Sequence, residues 1–195
     1  MRDQEFSVIV SKKPADSLYF GIVSPAFSLG PSNTNPPIIT SLDCAWAAGL
    51  IDGEGCIHIR RLLATSISKN RSDYYELVLK VGMCDKNAIM RLQSIFGVGS
   101  VYKYKYGNTR SNDAFAWVCR SREAEYVLLV VHHFLVTKHM EATAALRFSR
   151  IPSTRGCKLG TPPSVVARRH WYYGLLRSMK SRYRFYKTPG GSYAA

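Results

Sequence analysis

The chain is 195 residues long and carries 27 Lys and Arg against 13 Asp and Glu, a formal net charge of +14. That length allows one domain with tails and a sizeable core. So large a positive excess excludes an ordinary metabolite enzyme and invites a polyanion, with nucleic acid ahead of a membrane surface.

Over residues 1–40 three bases (Arg2, Lys12, Lys13) cancel three acids (Asp3, Glu5, Asp16), which leaves the whole excess on residues 41–195. Ser24 to Pro37 is rich in turn formers and has no period, so residues 1–40 read as a flexible leader with a short strand at Phe6 to Val10. No secretory signal or membrane span is visible, and an organellar transit peptide is only weakly supported. Five scattered cysteines (Cys44, Cys56, Cys84, Cys119, Cys157), odd in number and without a C-x-x-C pair, indicate neither a zinc site nor a disulfide framework. They fit a reducing, intracellular compartment.

The organising stretch is Trp46 to Ile57. Thr40 or Ser41 can cap a helix running from about Leu42 to Asp52, and Asp43, three after Thr40, completes a capping-box-like start. Ala45, Ala48, Gly49 and Asp52 recur at intervals of three and four, which predicts a side-chain-poor face able to meet a second protein helix closely. Gly53 and Gly55 offer a permissive backbone for a sharp exit. Between them Glu54 stands at a helix C-terminus that is already partly negative, an arrangement that asks for a metal ion.

From Cys56 to Leu62 the pattern alternates, with Ile57, Ile59 and Arg61 on one face and Cys56, His58, Arg60 and Leu62 on the other. After a polar loop at Ser66 to Asp73, Tyr74 to Met83 reads as a second strand and pairs with the first as a hairpin. Asp85 caps a helix through Ile89, Leu92 and Phe96, and Gly97 stops it. Ser100 to Tyr106, a turn at Gly107-Asn108 and Ala114 to Cys119 supply two more strands. Ser121 is expected to cap a helix holding Val127, Leu128, Val131 and Phe134; another runs from Thr137 to about Phe148, and Thr161-Pro162 opens a last one to about Arg182. Residues 41–187 form the domain and 188–195 a disordered tail. His132, His133 and His139 lack the H-E-x-x-H spacing of a zinc hydrolase and are read as core or surface residues.

Ala47 to Gly55, Ala-Ala-Gly-Leu-Ile-Asp-Gly-Glu-Gly, resembles the LAGLIDADG motif of the homing endonucleases, with Glu54 where Asp is commoner. The order αββαββα from Ser41 also resembles the family core, so the expected fold is α+β: an antiparallel DNA-binding saddle with extra C-terminal helices. The resemblance implies a site-specific, Mg²⁺-dependent double-strand DNA endonuclease, encoded in an intron of a chloroplast, mitochondrion or bacterium. A single motif copy implies a homodimer, joined along Ala45, Ala48, Gly49 and Asp52.

The resemblance further implies metal ligation by Glu54 and by the carbonyl of Gly53, and a catalytic role for Glu54 and for Lys138 near the scissile phosphate. Met83 stands where the family often has a polar active-site residue. Alternation on the saddle directs His58, Arg60, Glu76, Lys80, Ser100, Tyr102, Tyr104, Phe115 and Trp117 toward duplex DNA. Arg168, Arg169, Arg177, Lys180, Arg182 and Arg184 are assigned to phosphates or solvent. The alternative is a binding protein on the same scaffold, either an RNA-splicing maturase that binds intron RNA or a DNA-binding protein without cleavage.

Overall fold

In a computed structural model of the chain, the described residues are 9–10, 20–21, 39–64, 73–105, 113–152 and 161–182. The expected loop at 66–72, the turn at Gly107-Asn108, Arg184, Cys157, the tail at 188–195 and most of the leader lie outside them. Within the leader, β1 (Ile9–Val10) pairs antiparallel with β2 (Phe20–Gly21).

Helix α1 (Ser41–Glu54) starts through a local device. Thr40 Oγ1 accepts the Asp43 N–H at 3.1 Å, and the Asp43 carboxylate accepts the Thr40 N–H at 3.3 Å, so both partners of a capping box are present. Cys44, Ala47, Ala48 and Ile51 are buried, which lets α1 approach the sheet through small side chains. Its exit differs from the expected permissive turn. Gly53 is still helical, and Gly55 has an ordinary extended backbone, φ −77° and ψ 151°. Gly55 is needed for space instead, because a Cβ there would lie 2.4 Å from the carbonyl oxygen of Ile51. Helix therefore passes into strand β3 (Gly55–Leu62) with no loop between them.

Strand β4 (Tyr74–Met83), helix α2 (Lys86–Phe96), strand β5 (Ser100–Lys105) and strand β6 (Asp113–Arg120) follow. Asp85 caps α2 by accepting the Asn87 N–H at 2.8 Å, and Gly97 ends it in the left-handed region at φ 65°. The four strands form one antiparallel sheet in the order β3-β4-β6-β5. Helix α3 (Arg122–Val131), a 3-10 turn at His132–Phe134, helix α4 (His139–Ser149) and helix α5 (Pro163–Arg182) complete the described chain. The observed order is the expected αββαββα with two further helices.

One face of the sheet carries the core: Ile57, Ile59, Tyr75, Leu77, Leu79, Val81, Trp117 and Cys119 pack with Ile51 of α1, Leu92 and Phe96 of α2, and Val127 and Leu128 of α3. Two expectations change here. Ser121 does not cap α3 with its side chain; it sits at φ 50°, its N–H donates to the Leu77 carbonyl at 2.8 Å, and its hydroxyl donates to Glu76 at 3.4 Å. Arg169 is not a phosphate contact. It is 7% exposed, donates to the carbonyls of Ile151 (2.8 Å), Pro152 (3.1 Å) and Tyr75 (2.7 Å), and lies over the Phe148 ring, which ties α5 to α4 and β4.

Candidate active site and nucleic-acid interface

Glu54 is the last residue of α1 and is exposed, as is Gly53 beside it. Among the described residues nothing hydrogen-bonds or ion-pairs with the Glu54 carboxylate. The last turn of α1 has no base of its own, so the cation that its C-terminal dipole favours comes from elsewhere in the chain. Lys138, just before α4, donates its Nζ to the backbone carbonyl of Asp52. A lysine ill placed for the N-terminus of α4 is thus well placed for the C-terminus of α1, one residue from Gly53.

Asp52 orders this arrangement. Its Oδ2 accepts the Val136 N–H at 2.7 Å and its Oδ1 accepts the Lys138 N–H at 2.9 Å. Burial pushes the Asp52 carboxyl up, but the two backbone N–H groups outweigh it and hold the group below the ordinary carboxylate value. The Asp52 carboxylate is therefore engaged within its own chain and does not present itself to a partner helix.

Ala48 also leaves the expected dimer face, since it is 0% exposed. The stripe open to solvent is Leu42, which is 80% exposed, with Ala45, Gly49 and Gly53 at helical spacing. Small residues at 45, 48, 49 and 52 span two adjacent stripes, and their size alone does not say which one the protomer keeps for its own core.

The donors at Glu54 and Gly53 are oxygens at a negative helix end, which suits a hard divalent cation such as Mg²⁺. Among the described residues no group of three or more His, Cys, Asp or Glu gathers to hold a metal. Within one protomer the end of α1 presents a single exposed carboxylate, Glu54, beside the Gly53 carbonyl.

Strand pairing fixes the sheet face opposite the helices. Cys56, His58 and Arg60 lie beside Lys80, Val78 and Glu76, while Val78, Lys80 and Gly82 lie beside Arg120, Val118 and Ala116. On the far side Ser100, Tyr102 and Tyr104 pair with Val118, Ala116 and Ala114. Val78, Ala116 and Val118, with Tyr104 packed on them, make a small apolar floor. Polar groups stand over it. Arg120 donates to the Tyr102 hydroxyl at 3.3 Å, and the Lys80 ammonium lies 5.2 Å from the centre of the Tyr104 ring.

His58, Arg60, Lys80, Ser100, Tyr102 and Tyr104 therefore share the expected face, and three other assignments change. Glu76 is on that face but 6% exposed, held by Arg60 at 2.5 Å and by Ser121, so it braces Arg60 rather than standing free as a reader. Trp117 points the other way. It is 0% exposed, stacks on Phe96 with ring centres 5.7 Å apart and donates to the Val98 carbonyl at 2.9 Å. Phe115 packs on the same helix side. An offset of one residue exchanges the two faces of a strand, so Arg120, not Trp117, is the β6 side chain that faces outward with the basic set.

The model of the LAGLIDADG endonuclease family matches residues 47–143, a span that runs from the motif helix through the sheet into α4. The chain belongs to the LAGLIDADG endonuclease family. Among solved structures it is similar to the homing endonuclease I-CvuI in complex with the I-CreI target, at 19% identity and TM-score 0.59, over 78% of this chain and 86% of that one. It is similar also to the archaeal intron-encoded homing endonuclease I-Vdi141I complexed with DNA, at 11% identity and TM-score 0.57, over 79% and 89%. The LAGLIDADG homing endonuclease I-LtrWI bound to target DNA matches at 21% identity and TM-score 0.53, over 79% of this chain and 48% of that one. Likeness at these identities is likeness of fold. No curated protein matches the chain.

At the start of β3 this LAGLIDADG chain holds one further polar contact that its sequence does not display. The exposed thiol of Cys56 lies 3.7 Å from His58 Nδ1 and receives the Lys180 ammonium of α5 at 3.0 Å. Hydrogen bonding to His58, and then the bond and charge of Lys180, outweigh burial and bring this thiol down to about 7. Only α5 packing beside β3 brings Lys180 there, so no local pattern could have found it. Met83, at the end of β4, is half-buried against the core.

Proposed function

We propose that the protein is an intron-encoded homing endonuclease that works as a homodimer with Mg²⁺ and cuts both strands of one DNA site. The observation that carries this reading is the exposed Glu54 carboxylate at the end of α1, without a partner among the described residues, with the Lys138 ammonium held one residue away from Gly53. The open stripe of Leu42, Ala45, Gly49 and Gly53 supports pairing with a second copy. So does the comparison with I-LtrWI, in which this fold accounts for 48% of the longer chain.

Two α1 helices meeting along that stripe under two-fold symmetry bring two Glu54 carboxylates together. Glu54 and the Gly53 carbonyl are the residues that would hold Mg²⁺, which when bound supplies an activated water and neutralises phosphate charge. Lys138 offers an ammonium to the negative charge that develops on the phosphate. Asp52 keeps Lys138 in place by fixing the backbone of residues 136 and 138. Across the saddle His58, Arg60, Lys80, Ser100, Tyr102, Tyr104 and Arg120 meet the duplex, with cations on phosphates and on guanine acceptors in the major groove.

A second reading, a maturase or a DNA-binding protein without cleavage, draws on Met83, because a thioether at the end of β4 cannot relay a proton. One experiment separates the two. DNA joined across the insertion site of the gene encoding the chain is incubated with the protein and Mg²⁺. The nuclease reading expects a double-strand cut, lost in Glu54→Gln with DNA affinity retained. Tight binding of that DNA by the wild type without any cut would favour the binding-protein reading.

A further inference from the structure

Behind the turn that carries Glu54 lies a carboxylate that no step above uses. Glu141, in the first turn of α4, is 6% exposed, and its Oε2 is buried without a hydrogen-bond partner among the described residues. An ionised carboxylate in such a place is strongly unfavourable unless cations stand near it. Two do. Burial drives the Glu141 carboxyl up, and the charges of Lys180 and Lys138 oppose that rise.

These two lysines approach the metal-binding turn from different elements. Lys138 holds the carbonyl of Asp52, and Lys180, near the end of α5, holds the thiol of Cys56 at 3.0 Å. Asp52 and Cys56 stand two residues to either side of Glu54, so the turn is bracketed by ammonium groups. Cys56 opens the basic sheet face, where two residues of extended chain span only about 7 Å. An ammonium resting on an exposed thiol adds little to stability. Beside a DNA backbone, the same half-buried ammonium with its three donors replaces a counterion of a phosphate.

Resting on the reading that this face takes duplex DNA, we infer that Lys180 is a second cation of the cleavage centre, contacting a backbone phosphate beside the cut. No acid occurs in α5 to divert that charge.

The test is a salt titration of metal-free binding to the insertion-site duplex. Each neutralised phosphate adds about 0.9 to the slope of log affinity against log salt. Lys180→Met lowers the slope by about 0.9 per protomer, Lys180→Gln does the same, and Lys180→Arg retains the wild-type slope. In single-turnover cleavage with Mg²⁺, Lys180→Met cuts roughly tenfold more slowly, as expected of one lost transition-state cation.

A wild-type slope and rate in Lys180→Met would overturn the role of Lys180 while leaving the nuclease reading intact. A wild-type protein with no affinity for duplex DNA would overturn the underlying reading, and this inference with it.

Discussion

Gly55 and Gly53 stand two residues apart in the same motif, and the structure gives them opposite responses to a methyl group. A Cβ on Gly55 would lie 2.4 Å from Ile51 O, 2.9 Å from Ile51 Cα and 3.0 Å from Ile51 C. All three are backbone atoms of the preceding helical turn, so no rotamer change relieves the overlap. Overpacking of side chains commonly costs about 1–3 kcal/mol; a collision with fixed backbone puts Gly55→Ala at about 3 kcal/mol or more. For a chain of this size that is a fall in melting temperature of roughly 6–12 °C. A Cβ on Gly53 meets nothing within 4 Å. Inside a helix, alanine there gains about 0.5–1 kcal/mol over glycine.

Thermal melts at a concentration where the wild type is monomeric should therefore move in opposite directions for the two variants. Sedimentation at higher concentration adds the second half of the test. Gly53→Ala and Gly49→Ala put methyl groups on the exposed stripe and should weaken dimerisation while the protomer itself stays stable. A Gly55→Ala melt within about 2 °C of wild type, less than 1 kcal/mol for this size, would refute the steric account of the helix-to-strand turn. Equal damage from Gly53→Ala would do so as well.

Asp52→Ala removes two backbone N–H partners of a carboxylate. Charge-assisted bonds at about 1.5–3 kcal/mol each, reduced for partial exposure, put the loss at roughly 2–3 kcal/mol in urea unfolding, with cleavage slowed as Lys138 loosens. Because the folded carboxyl of Asp52 is depressed, its contribution is complete above the unfolded value near pH 4 and is lost as pH falls through the folded one. The stability gap between wild type and Asp52→Asn should be flat from neutral pH to about pH 5 and shrink in more acid solution; a gap that widens on acidification would contradict it. Trp117→Ala should cost about 3–5 kcal/mol through lost packing, and Arg120→Ala about 0.5 kcal/mol or less while weakening DNA binding and its salt dependence. The reverse ranking would restore Trp117 to the groove.

Features specified by neighbours along the chain are legible in the sequence. The Thr40–Asp43 capping box, the Asp85 cap and the Gly97 stop locate α1 and α2 closely, and β4 runs over Tyr74–Met83 as the alternation says. Features that depend on tertiary choice are not. Alternation in β6 offers two sets, Ala114, Ala116 and Val118 or Phe115, Trp117 and Cys119. Pairing with β4 decides that the large set meets the helices. The same ambiguity conceals that Ala48 belongs to the core while Ala45 and Gly49 stay outside it. Glu54 and Lys138 are reached through the motif and its family. That Lys138 serves the end of α1, that Arg169 binds three carbonyls and that Lys180 reaches Cys56 all follow from packing between elements far apart in sequence.

The central claim is that two protomers meet along α1 and each Glu54 serves one DNA strand. Mixed assemblies test it most directly: wild-type and Glu54→Gln protomers, distinguishable by a tag, are combined on a supercoiled plasmid carrying the insertion site, with Mg²⁺. The account predicts linear product from wild type alone, bound but intact DNA from Glu54→Gln alone, and nicked circles from the tagged mixed pair. Linear product from the mixed pair, or any cutting by paired Glu54→Gln protomers, would contradict it.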